Sequence, residues 1–259
     1  MDLTGKNALV CGSSGGIGKA SAIALSQLGA NVTLLSRNKE ALDLALKELD
    51  RSKNQQHDFI IADTSDTEDF RKKLAELASQ KIIHILVNNS GGPPPGNILG
   101  AETIDFEKAF AQHLLANHTA AQVLVPGMKQ SGYGRIINII STSVKQPLHG
   151  LGVSNTIRAA VANWSKTLAT ELAPFGITVN NVLPGGTETD RHHAIMTNKA
   201  SRTGKDIEQI KKEMLAEIPM GRFAKPEEIA NAVAFLASPA AAYITGTQIT
   251  VDGGRTGVL

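Results

Sequence analysis

Seven residues near the N-terminus, Gly12-Ser13-Ser14-Gly15-Gly16-Ile17-Gly18, have the types and spacing to hold a phosphate. Glycines let the chain turn tightly and bring bare main-chain N–H groups against an anion, and a helix opening directly behind them adds a favourable dipole. The apolar run Asn7–Cys11 leads into the loop as a strand, and the pattern from Ile17 onward reads as a helix. At such a strand-to-helix junction a glycine loop is expected to grip the diphosphate of a dinucleotide. After the next strand come Ser36, Arg37 and Asn38, with no acidic residue before Glu40. An acidic side chain at this place receives the ribose 2′-hydroxyl of NAD, whereas a guanidinium fork suits a 2′-phosphate. NADP(H) is therefore the expected cofactor, with NAD(H) the alternative.

The elements that must carry this loop follow from the apolar patterning. Strands are expected at Asn7–Cys11, Val32–Leu35, Asp58–Ala62, Ile82–Val87, Arg135–Ile140, Thr178–Leu183 and Gln248–Val251. Helices are expected at Ile17–Leu28, Glu40–Arg51, Thr67–Ser79, Phe106–Lys129, Val153–Ala173, Ile207–Glu217 and Pro226–Ala237. This alternation implies an α/β fold, a doubly wound Rossmann sheet of seven parallel strands with helices on both faces. No linker or internal repeat divides the chain, so residues 1–259 are expected to form one domain. Pro93-Pro94-Pro95 reads as a stiff loop after a strand. The stretch Asp190–Pro219 follows the sixth strand, at the carboxyl edge where ligands bind, and is expected to be a substrate lid.

Composition narrows the classes. The 27.3 kDa chain is 42% hydrophobic and 19% charged, which suits a globular protein, and its formal net charge of +2 offers no case for nucleic-acid binding. No apolar run approaches the roughly 18 residues that suggest a membrane span. Neither a signal peptide nor a disulfide is expected, since Cys11 is the single cysteine; a cytoplasmic location is the default. Cys11 itself reads as a small buried hydrophobe. No metal site is expected.

Further segments carry a resemblance. The glycine loop resembles the TGxxxGxG signature of short-chain dehydrogenases/reductases, with Cys11 in place of the threonine. Asn88-Asn89-Ser90-Gly91 looks like the family's NNAG, and Pro184-Gly185-Gly186-Thr187-Glu188-Thr189 like its PGxxxT. The stretch GRFAKPEEIANAVAFLAS…YITGTQITVDGG is similar to the family's C-terminal segment. The likeness runs from Gly5 to about Gly254 and is strongest to 3-oxoacyl-carrier-protein reductases. It implies an NADP(H)-dependent oxidoreductase acting on a carbonyl/alcohol pair of a small-molecule substrate, with an acidic or carrier-bound substrate among the alternatives. It implies that Gly12, Ser14, Gly16, Ile17, Gly18, Arg37, Asp63, Asn89, Arg158, Thr187 and Thr189 bind the cofactor. It also implies a homotetramer in which Phe106–Lys129 and Val153–Ala173 are buried between subunits.

The catalytic pattern departs from the family. Its asparagine maps onto Asn117 and its serine onto Ser141, but Ser154 and Arg158 stand where the tyrosine and lysine of YxxxK belong. The chain's two tyrosines, Tyr133 and Tyr243, lie far from that motif. A phenol can be drawn down from a pKa near 10 to donate a proton; a serine hydroxyl is shorter and far less acidic. Arg158, four residues after Ser154 on the same helical face, keeps the cation but cannot cycle a proton. Three accounts follow. Ser141 and Ser154 polarise the carbonyl while water or the substrate supplies the proton; or His149, His192 or His193, read as exposed loop residues, substitutes for the acid; or the chain is a catalytically silent or non-redox nucleotide-binding homologue. Arg191, Lys199, Arg202 and Lys205 add a cluster of cations to the lid, with no acidic residue among them, that would attract an anion.

Overall fold

Strand β1 (Asn7–Cys11) turns Ala8 and Val10 to one side and Leu9 and Cys11 to the other, and all four are buried. A strand apolar on both sides needs cover on both faces, which parallel neighbours with helical crossovers provide. The computed structural model describes residues 1–258 and builds that arrangement. β2 (Asn31–Ser36), β3 (Asp58–Ile61), β4 (Ile85–Asn88), β5 (Gly134–Ile139), β6 (Ile177–Pro184) and β7 (Gln248–Val251) join β1 in the order β3-β2-β1-β4-β5-β6-β7. Every pairing is parallel. This is the doubly wound Rossmann sheet that the alternation predicts.

The helices are α1 (Gly16–Gln27), α2 (Lys39–Lys47), α3 (Thr67–Gln80), α4 (Thr103–Phe110), α5 (Ala116–Ser131), α6 (Gly152–Leu172), α7 (Asp190–Thr203), α8 (Ile207–Ala216) and α9 (Pro226–Ala237). One face of the sheet buries Leu25 of α1, Leu42 of α2 and Val233 of α9. The other buries Phe70 and Leu74 of α3, Leu124 of α5 and Leu172 of α6.

Most boundaries shift by about one residue, and the larger differences from expectation have physical reasons. β4 begins at Ile85 rather than Ile82; the Asn7 side chain donates to the Ile82 carbonyl at 2.7 Å, and its N–H donates to the His84 ring at 3.0 Å. α2 stops at Lys47 because Asp50 turns the chain, accepting from the Ser52 N–H at 2.8 Å. The long helix expected at Phe106–Lys129 is two, joined by a widened π turn at Ala111–Leu115. The start of Asp190–Pro219, the stretch expected to be a lid, is helical, as α7, where loop residues were expected. Thr189 caps it by accepting from the His192 N–H, Asp190 sits in its first turn, and Gly204 ends it at φ 67°. Those three residues are the start and stop signals for α7 in the sequence.

A polar ladder crosses the centre of the sheet. Asn88, Asn138 and Asn181 are register neighbours on β4, β5 and β6 and are all buried. Asn88 donates to Asn138 at 2.8 Å, and Asn138 donates to Asn181 at 3.0 Å and to the Ser165 hydroxyl at 3.1 Å. These hydrogen bonds hold the carboxyl ends of the three strands in register.

Candidate active site

Strand order reverses between β1 and β4, the point at which an open α/β sheet leaves a crevice at its carboxyl edge. A cleft of about 510 Å³ lies there. Its floor is the glycine loop. Gly12 and Gly16 adopt φ of 59° and 52°, conformations that disfavour any side chain. A Cβ on Gly12 would come within 2.7 Å of Asn89, and one on Gly18 within 2.1 Å of the Gly12 carbonyl oxygen. Asn89 clamps the loop from β4, its amide donating to the Gly12 carbonyl at 3.2 Å. No side chain caps the N-terminus of α1 at Gly15, so the first main-chain N–H groups remain available to an anion.

At one end of the cleft stands Arg37, exposed and 3.5 Å from the Asp63 carboxylate. Hydrogen bonds from Ser65, and then the Arg37 charge, hold the Asp63 carboxyl below its ordinary value. At the other end β5 delivers Ser141, whose hydroxyl accepts from the Ser143 N–H at 3.1 Å while still facing the cleft. The first turns of α6 deliver Ser154 and Arg158 to the same wall. Ser154 lies inside the helix and does not cap it, since Leu151 holds the N-cap position. Arg158 is 9% exposed; its Nη1 donates to the Ile139 carbonyl at 2.8 Å and its Nε has no partner. Burial, and then the like charge of Arg191, push its guanidinium down to about 10.

Of the residues expected in the site, Gly12, Ser14, Gly16, Ile17, Arg37, Asp63, Asn89, Ser141, Ser154, Arg158, Thr187 and Thr189 line the cleft. Two do not. Gly18 is buried behind the loop, where only a glycine fits against Gly12. Asn117 lies behind the Asn88–Ser90 segment and lines a separate cavity of about 10 Å³ with Asn89, Ser90 and Gln112.

The histidines sort differently from expectation. His149 and His193 are exposed and stay outside the cleft wall. His192 is not an exposed loop residue: it is 8% exposed on α7, lines the cleft and packs edge-on against Phe223 with ring centroids 4.4 Å apart. Burial lowers its pKa, so it is a neutral imidazole near pH 7. The histidine that sequence reasoning missed is His113. The π turn points it inward, its Nδ1 lies 2.6 Å from the Ser90 hydroxyl, and its Nε2 is buried without a partner. Burial, then Arg158 and Arg191, push it down to about 2. A single histidine in a helical pattern gives no signal of that kind.

The cations of the stretch expected to be a lid divide as well. Lys205 pairs with Glu213 at 2.6 Å, so α8 neutralises part of the cluster. Arg191 donates to the Pro93 carbonyl at 2.5 Å, tying α7 to the proline loop after β4. Tyr133 is at the far end of β5, donating to the Ala237 carbonyl, and Tyr243 is fully exposed; neither phenol lines the cleft. Cys11 is buried, and burial raises its thiol to about 12.

Residues 12–256 match the family described as enoyl-(acyl carrier protein) reductase. The chain belongs to the short-chain dehydrogenases/reductases. It is 34% identical to the NADPH-dependent reductase BacG of Bacillus subtilis over 96% of this chain and 97% of that protein. It is also 34% identical to the 3-oxoacyl-[acyl-carrier-protein] reductase FabG of Rickettsia conorii over 98% of both. Among solved structures it resembles L-sorbose reductase from Gluconobacter frateurii, solved with NADPH and L-sorbose, at a TM-score of 0.92 and 32% identity over 100% of this chain and 99% of that one. Within the 3-oxoacyl-carrier-protein-reductase-like branch of this family the chain is an oxidoreductase homologue by descent. Among the described residues no helix is long and apolar enough to cross a membrane, and no cluster of metal ligands occurs.

Proposed function

We propose that this chain interconverts a carbonyl and an alcohol with NADP(H), using Ser141, Ser154 and Arg158 in place of the family's usual pattern. The observation that carries the reading is convergence: these three side chains and the glycine loop line one cleft. Bound there, NADP(H) would supply hydride exchange at the carbonyl carbon. NADPH dependence in the B. subtilis relative, NADPH in the sorbose reductase structure and Arg37 at the end of β2 all support NADP(H) over NAD(H).

In this reading Gly12, Ser14, Gly16, Ile17 and Asn89 shape the diphosphate cradle, with Gly18 permitting α1 to close behind it. Arg37 would hold the 2′-phosphate, Asp63 the adenine, and Thr187 and Thr189 the carboxamide end. Arg158 bonds ribose hydroxyls. Ser141 and Ser154 donate hydrogen bonds to the substrate oxygen and stabilise its developing charge. Neither serine is acidic enough to finish the reaction, so the proton comes from water or from an acidic group of the substrate. Asn117 would hold a water in its own cavity behind the Asn88–Ser90 segment, which is about the size one molecule needs, roughly 10–15 Å³, and not at the carbonyl itself. The segment Asp190–Pro219 acts as the lid. The substrate is a small molecule or an acyl group delivered by a carrier, and the assembly is a homotetramer.

A second reading has an observation of its own. The cleft contains no tyrosine, and its one histidine is buried and neutral. That favours a catalytically silent or non-redox nucleotide-binding homologue. Loss of NADPH absorbance against a panel of ketones and 3-oxoacyl esters decides between them. Turnover of any member supports the oxidoreductase; tight NADPH binding with no oxidation across the panel supports the silent homologue.

A further inference from the structure

We infer that Arg158 and Arg191 form a receptor for a free carboxylate, so that the preferred substrate is an anionic oxo acid rather than a neutral ketone or a carrier-bound thioester. The inference rests on the carbonyl/alcohol reading above and narrows it.

Both guanidiniums reach one point in the cleft. A Cβ placed on Gly92 would lie 3.1 Å from Arg191 Nη2 and 3.7 Å from Arg158 Nη2, so the missing side chain at 92 leaves a gap flanked by two cations. Each is anchored on a main-chain carbonyl, Arg158 on Ile139 and Arg191 on Pro93, which fixes the forks without neutralising them. Among the described residues neither arginine pairs with a carboxylate. The cleft has two carboxylates; Asp63 faces Arg37, and Asp190 is exposed at the start of α7. Arg158 is moreover buried with its Nε unpartnered.

A buried, uncompensated cation beside a second cation is costly, and the depressed Arg158 guanidinium records that cost. An anion seated between the two would relieve it. The fork of arginine matches a carboxylate in two-pronged geometry, which a lysine at 158 would not offer. Arg158 has nitrogens for both ligands: Nη1 is held by the Ile139 carbonyl, Nε is left for the ribose hydroxyls, and Nη2 faces the gap at Gly92. A carboxylate held there would lie in the same cleft as Ser141 and Ser154, with the keto group presented to the serines.

The test uses calorimetry on protein saturated with NADP⁺, a state in which a ketone binds without being reduced. The probes are acetoacetate and methyl acetoacetate, which share a carbonyl and differ by one charge. Acetoacetate is expected to bind at least about tenfold more tightly. Arg191→Gln should abolish that gap while NADP⁺ affinity is retained, and Gly92→Ala, which fills the gap between the forks, should narrow it. Equal affinities for acid and ester in the native protein would overturn the assignment. So would a gap that survives Arg191→Gln, or a defect confined to NADP⁺ binding. A clear acid preference in a protein that never oxidises NADPH would leave the receptor standing and remove the redox reading instead.

Discussion

Arg158 shows how one side-chain exchange redistributes the work of an active site. A lysine there would offer a compact, titratable cation; the arginine is permanently charged, buried and tied to the Ile139 carbonyl. Restoring the usual pair tests whether the exchange limits the chemistry. The double variant Ser154→Tyr with Arg158→Lys should raise kcat for ketone reduction by about 10²-fold, within the range a positioned general acid contributes. Steady-state rates against one ketone measure it, and an unchanged kcat would show that proton delivery is already efficient. His113 makes a second prediction. Its pKa falls from 6.5 to about 2 on folding, so above pH 6.5 both states are neutral and the cost is absent. As the pH falls below 6.5 the unfolded chain takes up a proton that the folded chain refuses, and stability declines by up to about 1.4 kcal/mol per pH unit. His57, His84 and His192 shift in the same direction. Denaturant titrations from pH 7 to pH 4 should therefore show a shallower loss in His113→Gln than in the native protein.

Among the elements, the junction of β1 with α1 carries the cofactor reading, and its tightest point is Gly18. The helix can approach the strand only because nothing projects toward Gly12, whose carbonyl oxygen lies 2.1 Å from where a Cβ would sit. Backbone cannot yield as a flexible side chain does, so Gly18→Ala should displace α1. The expected cost is about 1–3 kcal/mol of stability together with a marked loss of NADPH affinity, read by thermal unfolding and fluorescence titration. Stability loss with unchanged affinity would uncouple the helix position from nucleotide binding. The π turn between α4 and α5 is the other element with consequences, since it carries His113 inward to Ser90 and leaves Asn117 behind the β4 loop. Wider turns of this kind are frequent at functional sites.

At the scale of the whole molecule, the stretch of α4, the π turn and α5 leaves large apolar side chains exposed. Ile104, Phe110 and Leu115 are exposed at 48%, 40% and 39% in the isolated chain. Those residues fall on or beside the long helical stretch that the family resemblance assigns to subunit contacts. Light scattering coupled to gel filtration should give a mass four times the 27.3 kDa of one chain. Phe110→Glu should lower it by introducing charge into the buried contact. A native protein that elutes as a monomer would remove the tetramer.

Local patterning was enough to read the sheet, the crossover helices and the glycine loop. Strands apolar on both faces, a loop that only glycine can form and helix caps are properties of neighbouring residues, so they are written in short stretches of sequence. The register of Ser141, Ser154 and Arg158 with the loop was legible through family resemblance, and all three line the cleft. Helix α7 was legible in principle, through Thr189 and Gly204, but its polar composition hid the periodicity. What only the tertiary structure decided involves partners distant along the chain. His113 meets Ser90, Arg191 meets Pro93 and approaches Arg158 across Gly92, and Asn88, Asn138 and Asn181 align across three strands. Burial and charge at such points depend on which surfaces the crossovers bring together, and no stretch of sequence contains both sides of the contact.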